Sequence, residues 1–117
     1  MEKGTNEFIA RIYISGPYTK DDPIKNVENA TMIADQLADL GFAPYTPHFT
    51  HYWHINYPRP YDFWSKLHHE FLQYCDAVLR IPGESIGADE EVKKAYNLKI
   101  PVFYSVEELK KHYIKSS

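Results

Sequence analysis

The residues with the clearest chemical potential lie in Pro82-Gly83-Glu84-Ser85-Ile86-Gly87-Ala88-Asp89-Glu90-Glu91. Ser85 is placed to cap a helix, Gly87 and Ala88 keep its first turn slim, and Glu91 falls about one and a half turns inside it. Helical side chains lean toward the N-terminus. The Glu91 carboxylate therefore sits in the positive field of the helix dipole, close to free backbone N–H groups. An ordinary capped helix with acids in its first turns has the same pattern.

Two further segments carry candidate chemistry. Tyr13-Ile14-Ser15-Gly16-Pro17-Tyr18 ends an apolar run with a glycine that lets backbone approach a ligand closely, and the helix after it offers its N-terminus to an anion. Gly-Pro also ends many strands for turn reasons alone. The third segment, residues 48–62, reads HFTHYWHINYPRPYD. His48, His51 and His54 recur at every third position, a spacing that raises the question of a metal. With prolines nearby and no clear acidic third ligand, hydrogen-bonding histidines are the expectation. Trp53 and Trp64 are able to form a stacking wall for a planar base or to pack at a subunit interface.

These segments need a scaffold that brings them together. Residues 8–15 read as a strand ending at Gly16-Pro17. Asp21-Asp22-Pro23 reads as a helix start, and apolar residues at Val27, Ala30, Ile33, Ala34, Leu37 and Ala38 carry that helix from 24 to 40. Gly41 stands where a C-cap glycine belongs. Residues 42–46 read as a second strand, and 48–62 as a long connection of the kind that is usually functional or mobile. A helix over 63–74 has Trp64, Leu67, Phe71 and Leu72 on one face. Strands at 76–82 and 100–104 follow, with helices at 86–98 and 106–114. This alternation predicts a three-layer α/β fold, a flavodoxin- or Rossmann-like parallel sheet of four to five strands with helices on both faces. The expected strand order is 2-1-3-4, with right-handed crossovers and ligands at the carboxyl ends of the strands.

Composition sets the outer bounds. At 117 residues the chain suits a single domain over 1–117, with residues 1–8 expected as a flexible leader. A net charge of −3 gives no global attraction to a nucleic-acid polymer. No apolar run approaches the roughly 18–20 residues that a membrane span needs, and residues 1–8 lack a signal-peptide core. The single cysteine, Cys75, excludes an intramolecular disulfide framework and a multi-cysteine zinc site. A soluble cytoplasmic protein without a membrane partner is the expectation.

The stretches RIYISGPYT, AxxLxxxGFxPYxPH, CDAVLRIPGESIGADEEVKKA and IPVF together resemble the nucleoside 2-deoxyribosyltransferase-like superfamily. The resemblance runs over about residues 11–109 and is strongest to a small branch of that superfamily. The 2′-deoxynucleoside 5′-monophosphate N-hydrolases are more distant. Its most specific part is Ser-x-Gly-x-x-x-Glu at Ser85, Gly87 and Glu91, followed by Ala95. The resemblance implies that Glu91 is a nucleophile attacking the anomeric carbon, with a covalent glycosyl-enzyme as intermediate. Such chemistry needs a carboxylate on one face and a proton donor near the leaving base.

By the same resemblance Tyr13 helps to hold the nucleophile. Ser85 matches a phosphate-binding serine of the nucleotide hydrolases, where the nucleoside transferases carry aspartate. Ser15 and Gly16 border the sugar and phosphate. The position of the family's acid aspartate falls on His68, with Asp62 or His69 as possible substitutes, and Lys93 stands where the transferases carry a glycine. Asp76 is expected to be structural.

The catalytic candidates are therefore Glu91, Tyr13 and His68. The substrate-binding candidates are Ser15, Gly16, Pro17, Tyr18, His48, Trp64, Ser85 and Gly87. The expected function is an N-glycoside hydrolase or deoxyribosyltransferase acting on a small-molecule nucleoside or nucleoside 5′-monophosphate, with no metal or organic cofactor. The alternatives are a nucleotide-binding module without efficient catalysis and an NAD glycohydrolase-type activity. A homodimer or higher homo-oligomer is expected, because small domains bury limited surface alone.

Overall fold

The computed structural model describes residues 7–114. Most of the expected leader, residues 1–6, lies outside the described residues. The chain runs β1 (Arg11–Ser15), α1 (Pro23–Asp39), β2 (Ala43–Tyr45), a 3-10 turn (Pro47–Thr50), α2 (His51–Asn56), α3 (Tyr61–Leu72), β3 (Ala77–Arg80), α4 (Ile86–Asn97), β4 (Val102–Phe103) and α5 (Val106–Tyr113). The four strands form a parallel sheet, as the alternation of elements predicts, in the expected order β2-β1-β3-β4.

The central strand β1 sorts its side chains by the two-residue period of a strand. Ile12 and Ile14 enter an apolar cluster with Ala34 and Leu37 of α1, Leu109 of α5, and Phe42. Tyr13 packs instead with Val78, Leu72 and Ala95, on the side of α3 and α4. Burying each isoleucine contributes roughly 1.5–3 kcal/mol. The same alternation places two fully buried polar residues, Tyr13 and Ser15, under α4.

Local chemistry sets the helix ends. Asp22 caps α1 by accepting from the Lys25 backbone N–H at 3.2 Å, with Pro23 in the first turn. At its other end Gly41 has φ of 100°, its N–H bonds Ala38 O, and Phe42 N–H bonds Leu37 O. That pair of bonds is the Schellman motif, which needs a left-handed residue after the helix. It also explains why β2 begins at Ala43: the Phe42 N–H is spent on the helix end.

Several boundaries differ from the sequence expectation. The parallel ladder begins at Arg11, opposite Ala43, rather than at residue 8. β4 has only two residues, because Pro101 has no N–H for a ladder and contributes only its carbonyl, to Val78. The long connection over 48–62 is largely helical: the 3-10 turn starts on Pro47, and α2 is held by Trp53 packing edge-on against Trp64 at 4.8 Å. Helix α3 starts at Tyr61, two residues earlier than its apolar spacing suggests, because Pro60 in extended conformation precedes its first turn. Phe71, expected on the inner face of that helix, is about half exposed and stacks on Tyr45.

Candidate functional site

Glu91 stands at the centre of the site. Ser85 caps α4 by accepting from the Ala88 N–H at 3.0 Å. Ala88, Glu91 and Ala95, three and four residues apart, form the buried face of the helix against the sheet. The Tyr13 hydroxyl donates to Glu91 Oε2 at 2.6 Å, and Ser15 Oγ donates to Oε1 at 2.7 Å. Both carboxylate oxygens are thus fixed by side chains from one strand face. Burial raises the Glu91 pKa to about 7, against the lowering effect of the two hydroxyl hydrogen bonds and of the Arg80 charge. Burial and the neighbouring carboxylate push Tyr13 well above the usual phenol range, so it remains a donor.

A cavity of about 710 Å³ opens over this carboxylate. It lies beyond the carboxyl ends of β1 and β3, where the order 2-1-3-4 reverses direction and open α/β sheets bind ligands. Gly16, Tyr18 and Lys20 reach it from the β1–α1 loop, and Tyr61, Trp64 and His68 from α3. Ser85, Gly87 and Glu90 reach it from α4 and the residue capping it, and Thr50, His54 and Arg59 from the middle segment. Since Ser85 Oγ accepts from Ala88, its own proton is left to donate into the cavity.

His68 is buried between two hydroxyls, Tyr45 at 2.9 Å from Nδ1 and Thr50 at 3.4 Å from Nε2. Thr50 gives its proton to Pro47 O at 2.9 Å, so it can only accept from His68. That assigns the ring proton to Nε2 and makes Tyr45 the donor to Nδ1. Burial, then the neighbouring His48 and His69, hold the His68 pKa down at about 4. The ring is neutral at physiological pH.

The other candidates separate into two groups. Glu91, His68, Gly16, Tyr18, Trp64, Ser85 and Gly87 line the cavity; Tyr13, Ser15, Pro17 and His48 do not. Tyr13 and Ser15 both bond Glu91, so Ser15 stands behind the carboxylate. His48 is buried, its Nδ1 2.6 Å from Thr46 Oγ1 and its Nε2 2.6 Å from Pro17 O. A carbonyl only accepts, so His48 donates to Pro17 and ties the β1–α1 loop to the 3-10 turn. Gly16 is at the cavity, and a Cβ there would lie 2.2 Å from Ile81 Cγ1. The neighbouring strand end alone therefore demands glycine at this position.

The three evenly spaced histidines do not converge. His51 Nδ1 meets the Tyr18 hydroxyl at 2.6 Å, and His54 Nδ1 accepts from Trp64 Nε1 at 2.7 Å. Among the described residues no cluster of His, Cys, Asp and Glu is placed to hold a metal ion. Asp62 is exposed in the first turn of α3, away from the cavity, whereas His69 lines it. Asp76 accepts from the Arg11 N–H at 2.8 Å and pins the start of β1.

The sequence reading missed several wall residues. Tyr61 donates to Glu90 Oε1 at 2.9 Å and bridges α3 to α4; Lys20 faces Glu84 at 3.6 Å; Arg59 lies over the Phe63 ring at 4.4 Å. Arg59 between two prolines, and Tyr61 directly after the second, were the available signals. No periodicity marked them, because their positions depend on how the middle segment folds back.

A family model described as a domain of unknown function (DUF7768) matches residues 10–105. No curated protein matches the chain. Among solved structures, the chain is similar to a 2-deoxyribosyltransferase from the psychrotolerant bacterium Bacillus psychrosaccharolyticus, described as a biocatalyst for synthesis of antiviral and antitumoral nucleosides. The two share 23% identity at a TM-score of 0.58, over 80% of this chain and 69% of that one. The likeness is one of fold.

Proposed function

The chain belongs to the DUF7768 family, and we propose that it cleaves the base–sugar bond of a nucleoside or nucleoside 5′-monophosphate through a glycosyl ester on Glu91. The observation that carries this reading is the Glu91 carboxylate, gripped through both oxygens by Tyr13 and Ser15 at the edge of an aromatic-walled cavity. A buried carboxylate held in one orientation is poised for attack at an anomeric carbon. Its two donors stabilise the charge it carries before attack and recovers when the ester is broken. Oxygen of Glu91 bonds to C1′ as the C1′–N bond breaks and its electron pair leaves with the base. Water resolving the ester gives hydrolysis; a second base gives transfer. The fold shared with a 2-deoxyribosyltransferase supports the reading, as does the Ser85 proton facing the cavity, suited to a 5′-phosphate.

A second reading is favoured by one observation. His68, at the position expected for the acid, is neutral and held between Tyr45 and Thr50. A site without an effective acid is also what a nucleotide-binding module would have. The test is chromatography of base release from ribo- and deoxyribonucleosides and their monophosphates, with Glu91→Ala alongside. Release that disappears in the variant supports glycosidic chemistry. Equal nucleotide binding by both proteins, with no release by either, assigns the binding module.

A further inference from the structure

We infer that the cavity is built for N-glycosides whose base is cationic, so that the leaving group departs neutral and needs no proton from the protein. This rests on Glu91 as the nucleophile and narrows the substrate class of that same site.

Two independent features of the wall support it. The first is the direction of its hydrogen bonds. His54 uses Nδ1 to accept from the Trp64 indole, and His68 uses Nδ1 to accept from Tyr45. Each ring thereby spends Nδ1 as an acceptor, and the neutral His68 ring keeps only an N–H far too weakly acidic to protonate a leaving nitrogen. The Tyr61 hydroxyl is committed to Glu90, and its pKa is pushed up to about 12, first by burial and then by that carboxylate. His54, His68 and Tyr61 thus accept or hold protons at the cavity, while the Ser85 hydroxyl, on α4's cap, is left to donate.

The second feature is the electrostatic character of the wall. Trp64 and Tyr61 bring aromatic rings to the wall, and Glu90, bonded to Tyr61, and Glu91 bring carboxyl groups. The basic wall residues are already engaged: Lys20 faces Glu84 at 3.6 Å, and Arg59 lies over Phe63. What is left to the ligand is aromatic surface and the Glu91 carboxyl group. A delocalised cation is the complement of such a surface. The cavity, at about 710 Å³, lies within the usual size range of small-molecule pockets.

The chemistry balances without an acid. Glu91 oxygen bonds to C1′, the C1′–N bond breaks, and its electron pair neutralises the positive ring nitrogen. Water then attacks C1′, the ester oxygen recovers its pair as carboxylate, and the water proton passes to solvent.

The experiment uses matched probes at pH 6, where both methylated guanine and nicotinamide nucleosides are cationic: guanosine against 7-methylguanosine, and uridine against nicotinamide riboside, each also as its 5′-monophosphate. Base release is divided by the spontaneous rate for the same compound, with Glu91→Ala in parallel. The expected result is an acceleration about 100-fold or more larger for the cationic member of each pair, the size of a missing general-acid contribution, and lost in the variant. Equal or larger acceleration of the neutral members, again lost in Glu91→Ala, overturns this inference and leaves Glu91 as nucleophile. Release that persists in Glu91→Ala, or no release from any probe, overturns the nucleophile reading and this inference with it.

Discussion

Tyr13 and Glu91 stand 78 positions apart in sequence, and the Tyr13 hydroxyl donates to Glu91 Oε2 at 2.6 Å in a buried contact. One residue comes from the middle strand of the sheet and the other from the helix that crosses above it. Burial alone favours a protonated glutamate, whereas hydrogen bonds from hydroxyls favour the ionised one. The balance leaves the Glu91 carboxyl titrating near pH 7.

Tyr13→Phe removes one of these two donors while keeping the ring that fills the core. The Glu91 pKa is expected to rise beyond about 7, and the pH dependence of kcat/KM to shift upward with it. At pH 7 the loss should be about 10- to 100-fold, in line with the removal of one charge-assisted hydrogen bond. A pH–rate profile measured from 5 to 9 tests this. An unshifted profile would show that Tyr13 does not set the ionisation of the carboxylate.

Glu91 also makes stability depend on pH. Its folded pKa, about 7, lies above the ordinary glutamate value near 4.5. The native state therefore holds the proton more tightly, and the contribution is fully present below pH 4.5 and lost as pH rises through 7. The penalty at pH 8 is on the order of 3 kcal/mol. Glu91→Gln should be inactive and, at pH 8, more stable than wild type by an amount approaching that figure. Urea denaturation at pH 5 and pH 8 measures it, and equal gains at both values would rule out this origin.

His68 acts in the opposite direction. Its pKa is depressed from the usual 6.5 to about 4, so the unfolded chain takes up the proton first. The contribution is present above pH 6.5 and lost as pH falls toward 4, again on the order of 3 kcal/mol. Since Glu91 gains over much of the same window, the Glu91 and His68 contributions offset each other between pH 4.5 and 6.5. His68→Asn should unmask the Glu91 effect, with stability falling as pH rises. Thermal unfolding at several pH values reads the slope, and a variant with the wild-type slope would refute the compensation.

Ser85 has a structural and a proposed functional role that one variant can separate. Ser85→Ala removes the cap of α4 and should cost about 1 kcal/mol of stability. The proposed phosphate contact predicts in addition a KM increase for a nucleoside 5′-monophosphate and little change for the matching nucleoside. Equal changes for both substrates would reduce Ser85 to its capping role.

The sequence by itself determined the scaffold and the heart of the site, because both are written in local periods. Alternating apolar runs and helical spacings prescribe a parallel sheet flanked by helices, and Asp22, Gly41 and Ser85 mark helix ends through hydrogen bonds made within a turn. Tyr13 and Ser15, two apart on a strand, must share a face, and Ala88, Glu91 and Ala95 must share one on a helix. Only the tertiary structure decided how the middle segment folds back. Its helices are fixed by contacts between distant aromatic groups, such as Trp53 with Trp64, rather than by a repeating pattern. It tied His48 to the Pro17 carbonyl, brought Arg59 and Tyr61 to the wall, and made His68 a neutral ring between two hydroxyls. Burial and hydrogen-bond direction set those roles, and both are properties of neighbours that the linear sequence does not name.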